Sequence, residues 1–133
     1  MVVKLQSPAK ETAEREVRKP PFGAPHVLVL AEIEGSDPRR VYRIAQPETV
    51  LGRGETADIE IDDEGISKQH CSIRVSGSVF SIVDLGSLNG TIVNARPLRP
   101  DVIQRLRSLD EIRIGETRLL FLSGRFKERT GDS

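Results

Sequence analysis

An all-β fold, a sandwich or a barrel, follows from three features of this sequence. Short runs rich in Val, Ile, Leu and Phe recur from residue 26 to residue 122, each bounded by Gly, Pro, Asn, Asp or Ser. Nothing between them has the βαβ rhythm of a parallel-sheet enzyme. Eleven Gly and eight Pro in 133 residues supply the turns that so many short strands need.

The elements follow in order. Residues 1–24 mix Lys, Glu, Arg, Ala and Pro with few large apolar side chains, which predicts a flexible arm, unable to bury enough surface to offset ordering. Within it, residues 11–18 could form only a short, isolated helix, ended by Pro20 and Pro21. The folded domain is expected over residues 25–124, with a polar tail or linker over 125–133.

Residues 26–34 read as a strand ending at the turn formers Gly35, Ser36, Asp37 and Pro38, and residues 40–45 alternate as its antiparallel partner. Thr49-Val50-Leu51 leads into Gly52-Arg53-Gly54. Residues 57–62 alternate Ile59 and Ile61 against acidic neighbours, the pattern of a half-buried strand with a solvated acidic face. Residues 70–75 and 79–84 flank a hairpin connection at Ser76-Gly77-Ser78, and residues 110–114 and 117–122 flank another at Gly115-Glu116. Asn89-Gly90 reads as a hairpin corner between residues 80–85 and 91–94. Residues 97–108 have too brief a periodicity to assign, and are expected to pack Leu98, Ile103 and Leu106 inward.

The bulk properties bound the function. Twenty basic and twenty acidic residues cancel, so no global field draws the chain to nucleic acid or anionic lipid. A single cysteine, Cys71, excludes an intramolecular disulfide and the cysteine sets of structural zinc, and on an inward strand it reads as a small core residue. Lys4 and Pro8 interrupt any signal-peptide core, and no apolar run reaches the roughly 20 residues of a spanning helix, which points to the cytoplasm.

Three loops hold the chemistry: Gly52-Arg53-Gly54, the stretch from Gly65 through Ser67 and Lys68 to His70, and the stretch Gly86-Ser87-Leu88-Asn89-Gly90-Thr91. Together they offer a guanidinium, an ammonium, hydroxyls, an amide and exposed backbone N–H groups, donors suited to an oxyanion such as phosphate. Taken singly, each has a structural explanation as a surface or turn residue. Ser67, His70 and Asp84 are the residue types of a hydrolytic triad, but no nucleophile elbow or oxyanion hole accompanies them. Gly52-Arg53-Gly54 lacks the third glycine of a dinucleotide fingerprint, no Walker sequence occurs, and the acids from Asp58 to Glu64 lack the terminal Glu of a calcium loop. No catalytic residue, metal ligand or cofactor is expected.

In order and spacing these motifs resemble the forkhead-associated (FHA) domain. The matching residues are Gly52-Arg53, Ser67 with His70, Asp84 with Ser87, Asn89, Gly90, Thr91 and Asn94, and the stretch from Asp110 to Gly115, where Leu109 replaces a family glycine. The resemblance covers roughly residues 26–123 and implies a β-sandwich of about eleven strands whose loops bind phosphothreonine peptides. It implies phosphate contacts from Arg53 and Ser67, with Lys68 flanking them and Asn89 on the peptide main chain. Gly52, His70, Gly90, Thr91 and Asn94 fall at positions that hold the loops in shape. Leu88 stands where some members carry Thr or Ser to help read the phosphothreonine, which leaves two expectations open: Ser87 beside it compensates, or the preference shifts. The implied partners are phosphothreonine proteins, a Ser/Thr kinase or its substrates among them. Thr12, in the acidic setting of the arm, is a candidate phosphorylation site whose phosphate could fold back onto Arg53 and Ser67. The competing expectation is an interaction or structural sandwich that does not depend on phosphorylation.

Overall fold

The computed structural model describes residues 26–125; the expected arm with Thr12, and the tail beyond Arg125, lie outside the described residues. Eleven strands form two sheets. In chain order they are β1 (His26–Glu34), β2 (Val41–Ile44), β3 (Glu48–Gly52), β4 (Ile59–Glu60), β5 (Cys71–Ser76), β6 (Val79–Asp84), β7 (Thr91–Val93), β8 (Arg96–Pro97), β9 (Gln104–Leu106), β10 (Glu111–Ile114) and β11 (Thr117–Arg125). The six-stranded sheet runs β2-β1-β11-β10-β7-β8 and the five-stranded sheet β4-β3-β5-β6-β9. All pairings are antiparallel except β3 with β4.

Period-two alternation drives the assembly. Leu28 and Leu30 of β1, Ile112 and Ile114 of β10, and Leu119 and Phe121 of β11 are buried from one sheet, facing Leu51, Ile73, Val75, Phe80 and Ile82 of the other. Phe80 and Phe121 meet across the sheets with ring centroids 5.7 Å apart. The same alternation carries Asp84 inward: it is the next position after Phe80 and Ile82 on the buried face of β6, only 2% exposed. Cys71 is fully buried at the start of β5, and burial pushes its thiol up to about 12.

The two expected hairpins are present, with Val79 opposite Ser76 and Thr117 opposite Ile114. Gly77 and Gly115 turn them at φ of 62° and 60°. Three expectations need correction. Residues 84–91 are no hairpin, because β6 and β7 belong to different sheets and the loop crosses the end of the sandwich. The strand expected over residues 57–62 shrinks to Ile59 and Glu60, since Asp58 turns its carboxylate back to the Val50 amide at 2.8 Å. In the unassigned stretch Leu106 is buried and Leu98 packs against the core, but Ile103 is 63% exposed: β9 pairs only three residues with β6, and Ile103 precedes them.

Candidate functional site

Three loops meet at one end of the sandwich, and main-chain geometry brings them together first. The Arg53 amide donates to the Ser67 carbonyl at 2.9 Å, and the Gly54 amide to the Lys68 carbonyl at 3.4 Å. This approach leaves no room for a side chain at residue 52, where a Cβ would stand 1.9 Å from the Lys68 carbonyl oxygen. Gly52 is therefore a packing requirement. Gly54 in turn lies against the aliphatic stem of Lys68.

His70 and Asp84 then lock the outer loops. The fully buried His70 accepts the Ser67 amide on Nδ1 at 3.0 Å, so its proton sits on Nε2, which donates to the Gly90 carbonyl at 2.8 Å. Both ring nitrogens are thus spent on main chain, and the ring is no base for the Ser67 hydroxyl. Asp84 Oδ2 accepts the Gly86 and Ser87 amides, each at 3.0 Å, while Oδ1 accepts the Ser87 and Thr91 hydroxyls, each at 2.6 Å. Burial alone would raise the Asp84 pKa, but the hydroxyls of Ser87 and Thr91 and the two amides outweigh it and hold the carboxyl below its ordinary 3.8.

Ser87 belongs to this bracket. Its hydroxyl donates to Asp84 and accepts the Gly90 amide at 2.9 Å, so the expectation that it substitutes at the ligand for a hydroxyl at Leu88 is replaced by a role inside the loop. Gly90 completes the turn at φ 87°. Asn94, at the other end of β7 with φ 50°, donates to Asp110 and accepts the Glu111 amide, both at 2.9 Å, fixing the β7–β8 turn onto β10.

The remaining side chains are held by one atom each and free elsewhere. Arg53 Nε donates to the Ile66 carbonyl at 3.0 Å, and its terminal nitrogens have no acidic partner among the described residues. Ser67 Oγ accepts the Leu88 amide at 3.0 Å, which leaves its own proton to donate. Asn89 Nδ2 donates to the Gly65 carbonyl at 3.0 Å, leaving Oδ1 and the second N–H unspent. Lys68 is exposed beside them, and Leu88 is 88% exposed. The result is a rim of two cations, one hydroxyl donor and one amide, with their backbones fixed before any ligand arrives.

Sequence reasoning passed over Asp63, which it weighed only among the acids from Asp58 to Glu64 as a discounted calcium loop. Asp63 accepts the Gly65 amide at 2.8 Å on one oxygen, and the Glu116 amide at 2.8 Å and Thr117 hydroxyl at 2.7 Å on the other. Burial works against its charge, but these hydrogen bonds from Thr117, Gly65 and Glu116 keep its pKa below 3.8. It clamps the loop carrying Ser67 onto the β10–β11 turn. The signal was an Asp two residues before a Gly, the spacing of an Asx turn.

The comparisons with known proteins converge on one family. The model of the family described as the FHA domain matches residues 49–115. The oxoglutarate dehydrogenase inhibitor of Corynebacterium efficiens is 43% identical over 83 residues, 62% of this chain and 56% of that protein, so the match spans little more than half of the relative. The glycogen accumulation regulator GarA of Mycobacterium tuberculosis is 35% identical over 120 residues, 90% of this chain and 72% of that one. A solved structure from a study of phosphothreonine-dependent FHA domain interactions superimposes with a TM-score of 0.65 at 32% identity, covering 72% of this chain and 95% of its own.

Proposed function

The chain belongs to the FHA-domain family, and from that premise we propose that it is a phosphothreonine-peptide reader acting as an adaptor or regulator in Ser/Thr-kinase signalling. The observation that carries the reading is the division of labour at Arg53, Ser67 and Asn89. Each is anchored to a neighbouring loop by one polar atom and offers its remaining donors outward. The Arg53 guanidinium can grip two phosphate oxygens, the Ser67 hydroxyl a third, and Lys68 adds charge at the flank. Asn89 is free to take the peptide backbone. Arranged donors of this kind cost little reorganisation on binding.

The reading is of a binding module and not of an enzyme, because the groups that could activate a nucleophile, His70 and Asp84, are consumed in holding main chain. Relatives named as an inhibitor of oxoglutarate dehydrogenase and a regulator of glycogen accumulation support an output of the same kind, in which the bound partner is an enzyme whose activity changes. Among the described residues no helix is long and apolar enough to cross a membrane, and we place the chain in the cytoplasm with the kinases that would write its marks. Thr12 enters this reading as a tethered competitor: phosphorylated, it would occupy Arg53 and Ser67 at a local concentration in the millimolar range.

The test is calorimetry with matched phosphothreonine, phosphoserine and unmodified peptide libraries on the wild type and on Arg53→Ala. Binding of phosphothreonine peptides alone, lost in Arg53→Ala, is expected. Equal or absent binding to all three would leave a sandwich that works without phosphate.

A further inference from the structure

The side of the sandwich where both sheets end takes no part in the reading rim. β2 closes the six-stranded sheet and β4 the five-stranded one, and an open groove of about 870 Å³ runs between them. Its walls differ in net charge: Arg40 and Arg43, with Asp37, line it on the β2 side, and Asp58, Glu60 and Asp62 on the β4 side. Arg40 is engaged within the chain, 3.7 Å from Asp37 and 5.2 Å above the Tyr42 ring. Arg43 is exposed and has no ion-pair partner among the described residues. Glu60 and Asp62 are exposed and equally unpaired.

Two more features mark this groove as unfinished. The Thr49 hydroxyl on its floor is buried and has no hydrogen-bond partner among the described residues, in a residue 3% exposed. Among the described residues the β2 edge is also open. The Glu32 amide donates to the Arg40 carbonyl at 2.8 Å, and the antiparallel alternation from that pair turns Tyr42 and Ile44 toward β1 and the N–H and C=O groups of Val41 and Arg43 outward. Val41 itself is 59% exposed.

We propose that the two rims of the groove are a self-association surface, meeting the rims of the same groove in a second copy of this chain about a two-fold axis running along it. That axis sets β2 of each copy beside β4 of the other, so that Arg43 faces Glu60 of the second copy and the contact occurs twice. A two-fold axis crossing the groove at right angles would instead bring the two β4 walls together, acid against acid. Charge therefore selects the axis. The zero formal net charge of the chain adds no overall repulsion between copies. With only four residues in β2 and two in β4, the pairing is short and the dimer weak and concentration-dependent. Its consequence is a reader with two rims, suited to partners that carry two marks or that cluster at a kinase.

The inference does not rest on the phosphate reading, and it is tested without a ligand. Sedimentation velocity of the full chain is followed from micromolar to millimolar concentration for wild type, Arg43→Glu, Glu60→Arg and the equimolar mixture of the two variants, with circular dichroism confirming that each is folded. Wild-type self-association that each reversal weakens by roughly tenfold or more, and that the mixture restores, is expected, because every Arg43–Glu60 contact in the mixed dimer regains opposite charges. A monomer at every wild-type concentration, or self-association untouched by either reversal, overturns the proposal. Loss in both variants without recovery in the mixture overturns the two-fold arrangement.

Discussion

The reading end contains two concentric regions with opposite construction. The inner one, His70, Asp84, Thr91 and Gly52, is buried and fully spent on hydrogen bonds or close packing. The outer one, Arg53, Lys68, Leu88 and Asn89, is exposed and only partly spent. The inner region fixes where the backbone goes and the outer region spends that rigidity on a ligand. Substitutions should therefore separate into those that move stability and binding together and those that move binding alone.

The largest effect is expected inside. Asp84→Asn keeps the shape but sets an NH₂ group against donors, and should cost roughly 2–4 kcal/mol of unfolding free energy by urea denaturation, with binding weakened as well. Arg53→Ala should cost about 100-fold in phosphopeptide affinity by calorimetry, while the unfolding free energy from urea denaturation stays within about 0.5 kcal/mol of wild type. An Arg53→Ala protein that unfolded as easily as Asp84→Asn would erase the boundary between the regions. Asp63→Asn sits on that boundary and should lose roughly 1–2 kcal/mol of stability, with a smaller loss of affinity because Arg53 and Ser67 keep their other anchors.

Acid titration sharpens the same contrast. Asp84 and Asp63 have folded pKa values below 3.8, so the unfolded chain takes up protons first as pH falls. Their contribution is complete above about pH 4 and is lost as pH drops through the folded values. Urea midpoints measured between pH 5 and pH 2 should fall in wild type and fall less steeply in Asp84→Asn. The smallest effect belongs to Leu88→Ser, expected to shift stability by less than about 0.5 kcal/mol in thermal unfolding, since its side chain is solvated already.

Much of the sandwich was legible because alternation and Gly turns are local signals: β1, β6 and the β10–β11 hairpin lie where the residue pattern puts them. The sheet to which each strand belongs was not, because a short loop containing Asn-Gly reads alike whether it closes a hairpin or crosses between sheets. Residues 97–108 were illegible for a related reason, as β8 and β9 are too short to show a period. In the site, residue types and order revealed the donors, but not which atoms were already occupied. Asp63 changed roles because its partners Glu116 and Thr117 are fixed by tertiary approach, and Ser87 because the loop folds its hydroxyl onto Asp84 and Gly90 three residues to either side, which residue types alone do not show.

Cys71 gives the fold a clock. Its thiol is fully buried in the core and held at about 12, so an alkylating reagent reaches a competent thiolate only when β5 leaves the sandwich. Each labelled molecule then records one opening, and the labelling rate in native buffer counts unfolding without denaturant. Ligand that binds only the folded chain must slow that count in proportion to its occupancy, which makes one native atom a gauge of both the core and the rim above it.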